Sequence, residues 1–500
     1  MPGAKVATST FAPAYRAAVL QPGFAHIRLD YMQRVDRAHA VMLAETGLLR
    51  RQAASAILAA LAVIDCDIAA AGRKDAGRHE DLFFLREHLL IEAVGPDIGG
   101  SLHLARSRND LEATIFRLGV KERLRETLRQ FQDLIGAMLS LAERERDTLI
   151  VAYTHGQPAQ PSTLGHYLAA MVEIQLRHMR RMLAAYGDVD LCPLGAAAIT
   201  ATGFAVDRDR VADLLGFRGV QENAYGCIAG VDYLTATFAA LKLALLDLGR
   251  FCQDLAFWCG FEVGQLRAPD GFVQVSSIMP QKRNPLAIEH ARTLASIAAG
   301  QCQAVIDTVH NTPFADMVDA ETPTQQAGQV AFETVGRVAG LLSAFVAGLT
   351  VNAENVRRNI DASCITMTEL ADSLVRREGV PFRTAHHVTS QLARVMIDRR
   401  IGMAELSIDL IAPIFEQHAG GRPTMTDDEL RHLVSPENFV AVRTTFGGPA
   451  AATLRTSLER YRSRLSAFGR EIDALEEAEA ASLIRLDEAV LRLATAQNQF

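Results

Sequence analysis

Ser276, Ser277, Met279, Lys282 and Asn284 fall within nine positions, and Pro280 and Pro285 stiffen the backbone that carries them. Two hydroxyls, an ammonium and a carboxamide in so short a run are able to hold and deprotonate a small anionic substrate, although the same residue types also make ordinary surface linkers. Two further polar breaks interrupt otherwise apolar stretches. Ser107-Arg108-Asn109 precedes a helical period, where the planar fork of an arginine and the free amides of a helix start would seat an anion, or where the tripeptide would simply cap a surface helix. Thr154-His155-Gly156-Gln157-Pro158-Ala159-Gln160-Pro161 is bounded by prolines and carries a histidine fit for proton transfer or for plain hydrogen bonding.

The elements that must position these groups read as helices. Alanine and leucine dominate the 500 residues, aromatic content is low, and dense β-branched runs are missing, so the expected class is all-α. Helical segments are expected from about Ala38 to Ala71 and from Leu82 to Ala93, after a loosely held arm over residues 1–20. Behind Ser107 a helix carries Leu111, Ile115, Leu118, Leu124, Leu128, Phe131, Ile135 and Met138, with Asn109 or Asp110 as its cap. Leu234, Phe238, Leu241, Leu245, Leu248, Phe251 and Leu255 form another stripe, as in a long bundle between two smaller helical caps. The expected domains are 1–108, 109–360 and 361–500. In the last of them, after the breaks at Gly420-Gly421 and Gly447-Gly448-Pro449, Leu454, Leu458, Tyr461, Leu465, Phe468, Ile472 and Leu475 alternate by fours and threes, which suits either a coiled-coil seam or a helix packed inside its own subunit.

A net charge of −7 without any basic block argues against nucleic acid as a partner. Seven widely spaced cysteines without a Cys-x-x-Cys pair read as reduced thiols rather than as zinc ligands or a disulfide framework. The most hydrophobic helix, around Phe238 to Trp258, is interrupted by Lys242, Asp247, Arg250 and Asp254, so no membrane span is expected. Residues behind Lys5 form no signal-peptide core, and the expected location is cytoplasmic.

The run 275–284 resembles the signature Gly-Ser-Ser-x-Met-Pro-x-Lys-x-Asn of the fumarase/aspartase superfamily, with Val275 in place of the glycine. The segment from His103 to Leu111 resembles His-Thr-x-Arg-Ser-Arg-Asn-Asp-Gln of the argininosuccinate lyases, departing at Leu104 and Leu111, and 154–161 resembles their Thr-His-x-Gln-x-Ala-Gln-Pro without exception. Cys192-Pro193-Leu194-Gly195-Ala196 and the residues from Phe204 to Phe217 resemble a further block of that family. The resemblance implies a three-domain helical subunit whose long helices form the core of a homotetramer. It also implies active sites assembled from three segments on three subunits, and reversible β-elimination that releases fumarate from a small-molecule substrate, without metal or organic cofactor. Position by position it implies Ser276 as general base, Lys282 and Asn284 as binders of the aci-carboxylate intermediate, and Arg108, Asn109 and Thr154 as holders of the succinyl carboxylates. Ser107, Gln160 and Met279 are further substrate-binding positions by the same resemblance. His155 is either proton donor to the leaving nitrogen or its positioning group, Glu289 matches the glutamate that orients this histidine, and Ser277 either bonds substrate or stabilises the loop.

The other half of the implied site departs from the family. Glu80-Asp81-Leu82-Phe83-Phe84 stands for Glu-Asp-Ile-His-Thr, Ala229-Gly230-Val231-Asp232 for Ser-Asp-Arg-Asp, and 316–324 for a Tyr-Asn-Arg-Asp-Leu-Gln-Glu-Asp-Lys run. Polar groups lost from a leaving-group pocket weaken recognition of a guanidino partner, so another N-substituted aspartate is expected, such as ethylenediamine disuccinate. Asp316, Asp319 and Glu321 would bind a cationic amine or stand as solvated acids. The alternatives are argininosuccinate itself, a non-catalytic crystallin-like role, or a cycloisomerase of carboxymuconate, the last disfavoured by the first two motifs.

Overall fold

A computed structural model describes residues 22–71 and 82–495; the expected arm and Glu80-Asp81 lie outside them. The fold is all-α, as expected, apart from three two-stranded ribbons. Two helices, α1 (Pro22–Glu45) and α2 (Arg51–Ala71), pack on each other and, with α3 (Leu82–Val94), enclose the first core. The stretch from Ala38 to Ala71 is thus two helices, broken at Gly47, whose φ of 76° only glycine adopts without strain.

The longest helix of the bundle, α4 (Arg108–Arg144), turns back through the ribbon β1 (Leu149–Thr154) and β2 (Gln157–Thr163) into α5 (Leu164–Val189). Helices α6 (Asp232–Cys259), α7 (Leu286–Thr308) and α8 (Thr322–Ala347) complete a ring in which α4 packs on α5, α5 on α6, α6 on α7, α7 on α8 and α8 on α4. Leu128, Phe131, Leu176, Leu241, Leu248, Phe251, Ala295, Val338 and Phe345 fill its interior. By length and composition alone, residues 318–347 would be able to cross a membrane, contrary to the expectation above. Half of that apolar window is buried between α7 and α4, so its hydrophobicity is accounted for by the bundle core.

A third core gathers the helices α9 (Met367–Glu378), α10 (Phe382–Arg399), α11 (Ile408–Ala419) and α12 (Asp427–Leu433) and ends at Val434. The last helix, α13 (Ala451–Thr495), leaves that core. Leu454, Leu458, Phe468 and Ile472 enter the bundle core and Leu486, Ala489 and Leu493 the first core, so residues 451–495 do not pack with 364–434 as sequence order suggested. Its four-three period therefore buries inside its own subunit.

A buried charge cluster ties α1 to the segment before α4. The Arg86 guanidinium forks onto Asp65 at 2.7 and 2.9 Å and also reaches Asp36, while Arg106 Nη1 donates to Asp36 Oδ1 at 2.6 Å. Burial alone would raise the Asp36 carboxyl, but the charges and hydrogen bonds of Arg106 and Arg86 outweigh it and hold it below the ordinary range. A carboxylate depressed in the folded state contributes stability above its unfolded value of 3.8, lost as pH falls through the lower folded value. Asp36→Asn leaves two buried guanidinium groups short of a counter-charge and is expected to cost about 3–5 kcal/mol. Chemical denaturation at fixed protein concentration and neutral pH checks this, and a loss below about 1 kcal/mol would contradict it.

Candidate active site

Helix α4 begins at Arg108 because Ser107 is its N-cap. The Ser107 side chain accepts from Asn109 N at 3.3 Å and the Asp110 carboxylate accepts from Ser107 N at 2.9 Å, a reciprocal capping box. Neither Asn109 nor Asp110 is the cap itself, since both already have helical positions. Asn109 Nδ2 donates to Ala198 O at 3.0 Å, and the fully buried Asp110 accepts from Gly195 N and Ala197 N, both at 2.9 Å. Burial pushes the Asp110 carboxyl up to about 6, against the pull of its three backbone donors and of Arg106. Sequence reasoning passed over Asp110 as a site residue, although its place at the third position of the helix signalled the capping box. Gly195 sits at φ 90°, and a Cβ there would meet Arg208 Cγ at 2.7 Å, so this loop needs its glycine.

The second segment is a hairpin rather than a bare loop. Thr154 pairs with Gln157, leaving His155 and Gly156 as a two-residue turn with φ of 54° and 74°, the positive values that such a turn demands. Glycine takes that conformation freely, whereas His155 is held in it by the hairpin, which places the residue at the tip. His155, Thr154 and Gln160 are exposed, with only Gln160 Nε2 reaching Thr368 Oγ1 at 3.5 Å.

The third segment loops between two short strands, β3 (Gln274–Val275) and β4 (Arg283–Asn284), in which Gln274 pairs with Asn284 and Val275 with Arg283. Arg283 anchors this ribbon by donating to Asp270 Oδ1 at 2.6 Å and to Ala268 O at 3.3 Å. The half-buried Ser276 Oγ accepts from Met279 N at 3.1 Å and Ile278 N at 3.4 Å, and Lys282 N donates to Met279 O at 3.0 Å. Two amides pointing at one hydroxyl oxygen are arranged to favour negative charge on it. Ser277, Met279 and Lys282 are exposed, Asn284 is half-buried, and Glu289 stands exposed in the first turn of α7. Glu289 and His155 form no hydrogen bond with each other among the described residues.

The first segment does not meet the other two within one chain. Helix α4 has 37 residues, so its ends lie about 55 Å apart at 1.5 Å per residue. Ser107, Arg108 and Asn109 stand at its start. Thr154, His155 and Gln160 follow its end, and the Ser276 loop lies at that same far end, where Val151 N donates to Gln265 Oε1 at 3.0 Å and Tyr153 packs edge-on to Phe257 at 5.3 Å. The segments that depart from the family gather instead near Arg108. Phe84 lies under the Arg108 guanidinium at 4.8 Å, the fields of Arg108 and Arg28 reach Glu321, and Gln325 Nε2 donates to Tyr233 Oη at 3.2 Å beside Asp232. Burial raises the Asp316 carboxyl, with Arg108 opposing. Phe83 differs from Phe84: it is buried in the first core against His103, and with His103 and Arg106 it lines a small cavity there.

Comparison with known proteins identifies the family. A family model described as Lyase matches residues 8–300, and one described as Argininosuccinate lyase C-terminal matches 364–441. The chain is 47% identical over 482 residues to argininosuccinate lyase 2 of Agrobacterium fabrum, covering 95% of each protein. It is 34% identical over 443 residues to argininosuccinate lyase of Methanosarcina barkeri, covering 89% of each. Among solved structures, an EDDS lyase variant with bound fumarate superposes with a TM-score of 0.86 at 28% identity, covering 100% of this chain and 98% of that one. A 3-carboxy-cis,cis-muconate lactonizing enzyme from Pseudomonas putida, with a TM-score of 0.70 over 91% of this chain and 98% of that one, shares the fold at 21% identity. With its three motif segments, its helical ring and these relatives taken together, the chain belongs to the argininosuccinate lyase family of the fumarase/aspartase superfamily and is a carbon–nitrogen lyase that releases fumarate.

Proposed function

We propose that this lyase acts on an N-substituted L-aspartate whose leaving amine is not a guanidino group, with ethylenediamine disuccinate as the reference substrate. The observation that carries the reading is the clustering of two departures from the family, Phe84 and 316–321, around Arg108, while the Ser276 loop keeps its full set of polar groups. Asp316, Asp319 and Glu321 supply the negative field that suits a cationic amine.

In this reading Ser276 takes a proton from the carbon next to a succinyl carboxylate. The electron pair flows into that carboxylate, and Lys282 and Asn284 bind the aci-carboxylate. The pair then returns to form the double bond of fumarate as the carbon–nitrogen bond breaks, and the nitrogen leaves protonated. The amides of Ile278 and Met279 with the Lys282 charge support the serine alkoxide. His155 serves the leaving nitrogen as donor or positioner, with Glu289 as its orienter, and Thr154, Gln160, Ser277 and Met279 line the succinyl side. Arg108 and Asn109, with Ser107 beside them, join Thr154 in holding the succinyl carboxylates.

A single chain separates these groups, so the reading requires a homotetramer with sites shared between subunits. The outward faces of the bundle support it: Leu243 and Leu246 on α6, Ile297 on α7 and Val330 on α8 are all exposed apolar residues. Val275 and Ile278 of the serine loop are exposed as well, which suits a loop completed by neighbouring subunits. Seven free thiols suit a cytoplasmic setting.

The test compares kcat/KM for ethylenediamine disuccinate and argininosuccinate on one preparation, following fumarate by ultraviolet absorbance. A preference of about tenfold or more for ethylenediamine disuccinate, roughly 1.4 kcal/mol, is expected. The opposite preference would make the chain an argininosuccinate lyase, the reading favoured by its 47% identity to argininosuccinate lyase 2 of Agrobacterium fabrum.

A further inference from the structure

Residues 190–207 join α5 to the helix Arg208–Leu215 without a helix or strand of their own. Gly195, Ala197 and Ala201 in this loop sit at φ of 90°, 51° and 62°. An alanine at positive φ is strained, and it stays there only where its surroundings leave no alternative. Two opposite holds supply that constraint. Arg208 Nε donates to Leu194 O at 3.0 Å, while Asp110 Oδ2 accepts from Gly195 N and Ala197 N at 2.9 Å each. Ala198 follows directly, and its carbonyl accepts from Asn109 Nδ2 at 3.0 Å. The neighbours Asn109 and Asp110 thus grip the same turn of loop, the carboxylate through two amides and the carboxamide through the next carbonyl.

We infer that Asp110 is a positioning residue: by fixing the 195–197 backbone it sets the place of Ala198 O, and through that carbonyl it orients the Asn109 carboxamide toward a substrate carboxylate. The inference rests on the reading that Asn109 binds a succinyl carboxylate. The other oxygen of Asp110, Oδ1, accepts from Ser107 N at 2.9 Å, so among the described residues the hydrogen-bond partners of this side chain are three backbone donors. An ionised carboxylate accepts from all three at full strength. A carboxamide has one oxygen and must turn its NH2 group toward an N–H that was bonded. Stability does not account for the charge. The fully buried carboxyl is pushed up to about 6 from 3.8, so the folded chain keeps its proton over a range in which the unfolded chain has lost it. Ionisation of Asp110 at neutral pH therefore works against folding, and a charge retained there against that cost suits a geometric task.

The experiment measures KM and kcat for whichever of ethylenediamine disuccinate and argininosuccinate is turned over faster, with circular dichroism, in Asp110→Asn, Asn109→Ala and the double variant. Binding lost equally by substrate and transition state raises KM and spares kcat. Asn109→Ala should raise KM roughly tenfold and Asp110→Asn roughly fivefold, each with kcat changed less than about threefold. Because Asp110 acts through Asn109, the double variant should stay within about twofold of Asn109→Ala alone. Multiplied effects in the double variant would overturn the inference, since a residue that merely supports the fold harms binding whether or not Asn109 is present. If Asn109→Ala leaves KM unchanged, the reading that Asn109 binds substrate fails and the inference goes with it. If Asn109→Ala raises KM while Asp110→Asn does not, that reading stands and the inference alone falls. Should Asp110→Asn not fold, Gly195→Ala makes the same test from the loop side. Its Cβ would meet Arg208 Cγ at 2.7 Å and shift the loop with Asp110 intact, and its effect on KM should again vanish in the Asn109→Ala background.

Discussion

Ser276→Ala is expected to lower kcat by about a thousandfold or more while the helical content and assembly stay unchanged. The serine lies on a loop between two short strands, half-buried, and its hydroxyl is the acceptor for the amides of Met279 and Ile278. Removing one oxygen there leaves two amides that solvent can satisfy, so the cost to the fold is small. The cost to the reaction is large because no other oxygen in the loop receives two backbone donors, and the proposed step needs an alkoxide at that point. Lys282→Met should fall in the same direction, since the ammonium is the positive charge nearest in sequence to that alkoxide. Fumarate release and circular dichroism on the same samples decide the matter. Near-normal turnover in Ser276→Ala with unchanged secondary structure would mean that another group takes the proton.

Two inactive variants mixed together should recover activity. Arg108 and Ser276 stand at opposite ends of a helix about 55 Å long, so no single chain closes a site around both. If Arg108 of one subunit faces Ser276 of another, a hybrid assembled at random from Arg108→Ala and Ser276→Ala chains has intact residues at both positions in about one site in four. Activity should therefore rise from near zero to about a quarter of the parent value after co-refolding. The control is each variant refolded alone, which should stay inactive. Well-formed hybrids without recovery would show that each chain supplies both residues to the same site, which would require an arrangement of the helical ring different from the one described.

The roles of particular residues were unevenly legible. Ser276, Lys282 and Asn284 were readable because a short loop keeps its members together whatever the surrounding fold, and the two amides that serve Ser276 come from the next three residues. His155 is readable as a polar break, yet nothing in its sequence announces a tight hairpin with the histidine itself at positive φ, because the second strand carries Pro158 and Pro161 and no β-branched residue before Thr163. The cap of α4 is Ser107, two or three residues before the expected Asn109 or Asp110 and within the tripeptide that also reads as a cap, a difference set by which side chain finds a free amide first. The last helix left two arrangements open, since a four-three stripe describes the face that is buried and says nothing about what buries it.

By itself the sequence determined the helical class, the family and the three polar segments, because helical periodicity and short-range spacing are properties of neighbouring residues. Only the tertiary structure decided that the Ser107-Arg108-Asn109 segment and the serine loop occupy opposite ends of the bundle, that Phe83 is core while Phe84 lies against Arg108, and that residues 451–495 return to the first two cores. Those outcomes depend on the packing of segments tens to hundreds of residues apart, where the burial of one face against another, rather than any local preference, selects the arrangement.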